Sequence, residues 1–237
     1  DHNEGLSMYG IIRNDETLKR SLAVGDINGV NYIYSHVPKS SIDLVLIIDG
    51  SSTFAAKYNG FVPSKNSAEE LLFKLRENDR LAVVKLPDSV LVTPTVINDQ
   101  TRNVVLGKIK SMSISGTSAI GQGLQVGQSL LAGSTNRKAM ILFSAGEESG
   151  DPTALSVAPA LDADLISVFT MGFSGSSGQD LDSKLAEATK GGYYLTADTT
   201  ISLVVTQMWN DLTGLQLVGD STFFSGGINW QGGINWQ

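Results

Sequence analysis

The sequence predicts an α/β protein, a doubly wound and mostly parallel six-stranded sheet with helices on both faces, of the Rossmann-like kind. Three observations carry this. From residue 42 onward, apolar runs of strand length alternate with amphipathic stretches of helical length. The runs IDLVLII, KAMILF and DLISVFTM are almost continuously apolar, as expected of strands covered on both sides. A helical stretch near the end stops at Gly191 and Gly192, a glycine signal that suits the left-handed turn after a helix.

The elements follow in order. IDLVLII is the first central strand. SKNSAEELLFKLREN is a helix with Leu71, Leu72 and Leu75 on one face, and Ser67 three residues before Glu70 reads as a capping box. RLAVVKL and SVLVTPTVI are strands joined at PDS, close enough for a hairpin, so one antiparallel edge is expected. TRNVVLGKIKSM is a helix, and SISGTSAIGQGLQVGQSLLAG is a loop entering another. KAMILF, DLISVFTM and GGYYLTA complete the sheet, with QDLDSKLAEATK as a helix between the last two. TISLVVTQMWNDLTG closes the series, with Val205, Trp209 and Leu212 on its inner face.

Residues 41–213 therefore form the α/β domain. Residues 1–40 carry short β-like runs (LSMYGII, RSLAV, VNYIYSHV) and residues 214–237 carry LQLVGDSTFF followed by GGINWQ twice in tandem. A small β-appendage built from both flanks is expected. The repeat is open to three readings: part of that appendage, strand pairing with a neighbouring chain, or an engineered end.

Composition narrows the function. The 237 residues carry 17 basic and 24 acidic side chains, a net charge of −7. No basic stripe is present to neutralise phosphates, which excludes nucleic acid and an anionic membrane surface as partners. No apolar run reaches the roughly 18–20 residues that span a bilayer. Cysteine is absent, so disulfides and thiolate metal sites are excluded. The chain begins at Asp1, as a processed or trimmed protein would. His2 and His36 both precede the first central strand, which removes the usual base for a serine hydrolase and the usual pair for a histidine metal site. The expectation is a non-enzyme.

In a doubly wound sheet, ligands bind beyond the carboxyl ends of the strands where the strand order reverses. The first strand ends there on Asp49, followed by Ser51, Ser52 and Thr53. SGTSAIGQGL brings Thr117 to the start of a helix, and ILFSAGEESGD leaves the next central strand. One carboxylate with several hydroxyls is a partial cage for a hard cation such as Mg²⁺, which takes oxygen ligands and keeps water. Each residue also has a plain local role: Asp49 accepting turn amides, Ser51, Thr53 and Thr117 capping helices.

Taken together, the three loops resemble the von Willebrand factor A domain and its metal-ion-dependent adhesion site. Asp49, Ser51 and Thr53 match the family's Asp-x-Ser-x-Ser loop with Thr in the last place, and Thr117 matches its second-loop Thr. The third loop departs, with Ser144, Ala145 and Gly146 where the family has Thr-Asp-Gly. SGTSAIGQGL and LDSKLAEATKGGYYLTAD are most similar to the domain of calcium-activated chloride channel regulators. His-Glu-x-x-His, the signature of those proteins' protease domain, does not occur. The resemblance implies an extracellular or cell-surface binding module that engages a partner's carboxylate through Mg²⁺, Ca²⁺ or Mn²⁺. With Ala145 in the third loop, the cation is either weakly held or absent, and Glu147, Glu148 and Asp151 are the candidate substitute ligands.

A nucleotide-binding protein of similar architecture needs a glycine-rich turn directly after the first strand. An acid stands there instead, and GQGLQVG is misplaced. A second reading remains: a structural subunit of an extracellular assembly or filament, joined as a homo-oligomer by its terminal strands. Trp230 and Trp236 would then be the partner-binding anchors, since buried aromatics dominate interfaces.

Overall fold

The computed structural model describes residues 41–173, 178–196 and 201–214. The expected appendage, the GGINWQ repeat, Trp230 and Trp236 lie outside these residues.

Strand β1 (Ile42–Ile48) is central and buried along its whole length. Its alternation divides two cores. Leu44, Leu46 and Ile48 face one layer and Val45 and Ile47 the other, as the period of two along a strand requires. After β1 come helices α1 (Ser52–Tyr58) and α2 (Phe61–Lys74), strands β2 (Arg80–Lys85) and β3 (Ser89–Val96), and helices α3 (Asp99–Lys110) and α4 (Ile120–Leu131). Then follow β4 (Arg137–Phe143), α5 (Ala154–Ala163), β5 (Ile166–Phe173), α6 (Gln179–Ala188), β6 (Tyr193–Thr196) and α7 (Ile201–Thr213). Helices α1, α2, α3 and α7 bury Phe54, Leu71, Leu72, Ile109 and Met208 in the first core. Helices α4, α5 and α6 bury Ile120, Leu124, Leu161 and Leu185 in the second.

The sheet order is β3-β2-β1-β4-β5-β6, parallel except for β3, which pairs antiparallel with β2. The order reverses between β1 and β4, so the crevice beyond the ends of those two strands is the expected ligand position.

At the opposite end of β1 two buried acids fix the strand's start. Asp43 accepts from Arg80 Nη1 at 2.9 Å and from Asn136 Nδ2 at 2.9 Å, while Asp79 accepts the Ile42 amide at 3.0 Å. With every carboxylate oxygen given a donor, desolvation of these acids is offset and β1 keeps its register.

One sequence expectation is corrected here, and two helices appear that the sequence reading did not assign. The capping box at Ser67 and Glu70 does not form: α2 starts six residues earlier, after Gly60, and Ser67 is fully buried in mid-helix. Its hydroxyl faces Met171 Sδ at 4.0 Å, and Glu70 pairs instead with Lys74. The segment after Asp49 holds a two-turn helix, α1, capped by Ser51. Residues 154–163 form α5 despite an internal Pro159.

Helix α3 does carry a capping box. Asn98 Oδ1 accepts from the Gln100 and Thr101 amides, each at 3.0 Å, and Thr101 Oγ1 accepts the Asn98 amide at 3.0 Å. Replacing Asn98 with Ala should cost about 1 kcal/mol, the usual worth of such a cap. A parallel shift of the urea unfolding midpoint, with unchanged slope, is the expected readout.

Candidate functional site

Three loops meet beyond the carboxyl ends of β1 and β4. The first is anchored where the Asp49 amide donates to Phe143 O at 3.0 Å, which continues the β1–β4 ladder one residue past the strand. The chain then turns, because Asp49 Oδ1 accepts the Ser51 amide at 2.8 Å. Ser51 is the N-cap of α1, its Oγ accepting the Phe54 amide at 3.1 Å. Asp49 and Ser51 are 1 % and 5 % exposed, so a carboxylate and a hydroxyl are held in a largely desolvated place.

The second loop closes on the first. Ser118 Oγ donates to Asp49 Oδ2 at 2.6 Å and lies 3.0 Å from Ser51 Oγ. The Ser115 amide donates to Gly50 O at 2.7 Å. Gly50 has to be small here, since a Cβ would sit 2.8 Å from both Ser115 O and the Lys85 side chain. Loop two also grips loop three, with the Ser149 amide donating to Ser118 O at 3.0 Å.

The third loop is fastened by its two glutamates. Glu147 Oε1 accepts from Lys57 Nζ at 2.7 Å and from the Tyr58 hydroxyl, tying loop three to α1. The bond to Glu147 is the main cause that raises the Lys57 ammonium above its ordinary value. Glu148 Oε1 accepts from the Gly121 amide at 3.0 Å and the Ala154 amide at 2.6 Å. One carboxylate thus caps the N-termini of both α4 and α5, where the helix dipoles favour negative charge. Burial pushes the Glu148 carboxyl up, and these two amides oppose that shift. Gly121 makes the close approach of α4 feasible: a Cβ there would lie 2.1 Å from Pro152 O. The GQGL glycines are therefore packing residues.

The structure brings Asp49 and Ser51 into contact. Thr53, in the first turn of α1, and Thr117, in the second loop, are exposed. The hydroxyl that reaches Asp49 is that of Ser118, one residue beyond Thr117; its place in the same SGTS stretch was the available signal. Ala145 is buried, and Asp151 is exposed. Glu147 and Glu148 are engaged in the bonds just described. Among the described residues, no group of three or more His, Cys, Asp or Glu side chains converges as a cation cage. The donor set is one carboxylate plus hydroxyls. That chemistry fits a hard divalent cation carrying most of its own water, held by Asp49, Ser51 and the threonines or Ser118. A bound ion would supply a positive centre facing an incoming carboxylate.

Behind the third loop lies a buried acid that sequence reading did not single out. Asp182, on α6, is 1 % exposed and accepts from Ser144 Oγ at 3.2 Å through Oδ1. Ser144 Oγ in turn accepts the Gly146 amide at 3.1 Å. Burial pushes the Asp182 carboxyl up to about 7, against the opposing pull of the Ser144 bond.

Comparison with known proteins agrees with this architecture. The profile of the von Willebrand factor type A domain matches residues 43–207. The fold is similar to a von Willebrand factor type A structure from Catenulispora acidiphila, with TM-score 0.65 and 18% identity over 74% of this chain and 43% of that one. It is similar to proximal thread matrix protein 1 from the mussel byssus with a zinc-occupied MIDAS motif, with TM-score 0.61 and 16% identity over 75% of this chain and 46% of that one. It is also similar to the conserved hypothetical protein BatB from Bacteroides thetaiotaomicron, with TM-score 0.59 and 15% identity over 73% of this chain and 100% of that one. This chain thus spans less than half of two of these three structures. No curated protein matches it. A match over most of the chain, on the fold and loop arrangement described above, gives the assignment: the chain belongs to the von Willebrand factor type A domain family.

Proposed function

We propose that this domain is a non-enzymatic protein-binding module of the cell surface or extracellular matrix, and that its contact face is the rim formed by the three loops. A weakly held divalent cation at Asp49, Ser51, Thr53 and Thr117, with Ser118 beside them, gives that rim its affinity for a partner's carboxylate. The observation that carries the reading is the cluster of buried Asp49 and Ser51 with half-buried Ser118 at the point where strand order reverses. Two supports are weaker. A zinc-occupied adhesion motif is recorded for the byssus matrix protein of the same fold. The SGTSAIGQGL loop, read as nearest to the calcium-activated chloride channel regulators, favours an extracellular setting.

Calorimetric titration with Mg²⁺ and Mn²⁺ tests it. Saturable heat with a dissociation constant in the range of about 10⁻⁴–10⁻³ M is expected, as for cation sites poor in ligand charge. Asp49→Asn should abolish that heat while leaving the fold intact, because the amide still accepts from the Ser51 amide. Flat titrations with both ions in the wild-type chain would remove the cation from the account. Turnover of a simple ester, peptide or phosphate would contradict the non-enzyme reading.

A second reading is favoured by the third loop. Ala145 is buried where the resemblance puts a carboxylate, and Glu147 and Glu148 are spent on fastening the loop. On this reading the domain is a metal-free scaffold in an extracellular filament, and the terminal segments with Trp230 and Trp236 join copies. Deletion of residues 226–237 should then reduce sedimentation from oligomer to monomer, and an unchanged profile would dismiss this reading.

A further inference from the structure

Among the described residues, two buried side-chain oxygens have no hydrogen-bond partner, Asp182 Oδ2 and the Tyr193 hydroxyl. They approach one spot from two elements. A Cβ placed on Gly172 of β5 would lie 3.1 Å from the Tyr193 hydroxyl and 3.4 Å from Asp182 Oδ2. Buried polar groups are rarely left without partners, and a buried anionic oxygen least of all. A carboxyl in this position is satisfied in one of two ways. Protonated on Oδ2, it becomes a donor that the Tyr193 oxygen can accept. Ionised, it demands a donor, and the Tyr193 O–H is the unpartnered one at hand.

We propose that Asp182 and Tyr193 form a buried proton-binding site connected through Ser144 to the third loop, and that protonating Asp182 loosens that loop. The connection is a chain of two hydrogen bonds, from the Gly146 amide to Ser144 Oγ and from the Ser144 hydroxyl to Asp182 Oδ1. At 3.2 Å the second bond is already long for an O–H donor. Ionised, Oδ1 is the stronger acceptor and holds the Ser144 hydroxyl, as the downward pull of that bond on the Asp182 carboxyl requires; protonation weakens it and slackens the chain to Gly146. The loop is sensitive to this change because Gly146 and Gly178 touch backbone to backbone. A Cβ on Gly146 would lie 2.1 Å from Gly178 O, so α6 cannot shift without displacing the loop. Gly146 itself, at φ 65°, holds a left-handed turn.

The surroundings leave Asp182 as the titrating group. On β5 its neighbours are the uncharged Thr170, which donates to the Asp182 carbonyl at 3.0 Å, and Gly172. On β6 the facing group is Tyr193, whose phenol is raised by burial and then by the Asp182 charge. On α6 itself Asp180 and Lys184 pair with each other at the exposed surface. On α5, packed against α6, Asp162 pairs with Lys190. In the third loop Glu147 bonds Lys57 and Tyr58, and Glu148 bonds the amides of α4 and α5. Among the described residues, no basic side chain faces the ionised carboxylate. The inference holds for whatever ligand the rim takes, and for the cation-free reading as well.

The test is carbon-detected NMR of the Asp182 carboxyl in the full chain, with amide hydrogen exchange of residues 144–148 followed from pH 5 to 8.5. The expected result is a carboxyl midpoint between about 6 and 8, where an unperturbed Asp titrates near 4. Over the same interval, protection of the Gly146 amide, corrected for the intrinsic rate, should rise about tenfold, as suppression of a local opening would produce. In Asp182→Asn that excess pH dependence should vanish. In Tyr193→Phe the carboxyl midpoint should rise, because the ionised form has lost its donor; this variant keeps the question open should Asp182→Asn fold poorly. A midpoint below about 5, or loop protection that follows pH equally in wild type and Asp182→Asn, overturns the proposal. Because no cation is added, failure here is separate from failure of the Asp49 site.

Discussion

Asp182→Asn is expected to stabilise the protein at pH 8, by on the order of 3 kcal/mol, while changing little at pH 4. In the folded state the carboxyl sits near 7, and an unfolded chain returns it to the ordinary range near 4. The folded protein therefore binds this proton more tightly than the unfolded one. Below the unfolded value both states are protonated and no penalty exists. As pH rises toward the folded value, the unfolded chain ionises freely while the folded one resists, so stability is lost across about pH 4 to 7 and the loss then levels off. Asn keeps the acceptor for Ser144 and adds amide donors that the Tyr193 oxygen can take. Unfolding in urea at a series of pH values should show wild type and variant diverging through that window. Parallel curves would mean that Asp182 is not carrying a buried, titrating charge.

Glu148→Ala is expected to be the most damaging single change on the rim, at about 2–3 kcal/mol. Its Oε1 satisfies two helix N-terminal amides at once, Gly121 of α4 and Ala154 of α5. Removing it leaves both donors unpaired at a half-buried junction, and each orphaned donor costs about 1–3 kcal/mol. Glu148→Gln keeps an oxygen acceptor in the same place and should recover most of the loss, the remainder being the lost charge at two helix N-termini. Thermal unfolding of the three proteins gives the ranking wild type, Gln, Ala. Equal stability of the Ala variant and wild type would show that water replaces the carboxylate at no cost.

The fold was legible because its strongest signals are hydrophobic. IDLVLII, KAMILF and DLISVFTM announce buried strands, and the short PDS link allows only a hairpin between its neighbours. Helix starts were less legible. SAEE looked like a capping box because Ser67 and Glu70 have the right spacing, but burial of Ser67 against Met171 overrides local capping chemistry. Helix α5 was hidden by Pro159, which lowers helix propensity although its neighbours Ala158 and Leu161 bury a proper face. At the site, the acid that ends β1 was readable because a charge after an aliphatic run stands out. Ser118 was obscured by Thr117 beside it, since the pattern fixes the loop and not which hydroxyl turns inward. Asp182 could not be found from the chain alone. It lies 38 residues from Ser144 on an amphipathic helix, and only the packing of α6 against β5 reveals that this acid faces inward.

The proposed contact face is an oxygen-lined rim of three loops at Asp49 able to hold a hard cation. Anomalous diffraction from crystals soaked in Mn²⁺ tests it most directly. The expected result is a single strong peak about 2.2 Å from an Asp49 oxygen, with Ser51 and one of the second-loop hydroxyls around it. An ordered Asp49 still bonded to Ser118, with no anomalous density within the rim at millimolar Mn²⁺, would contradict the account.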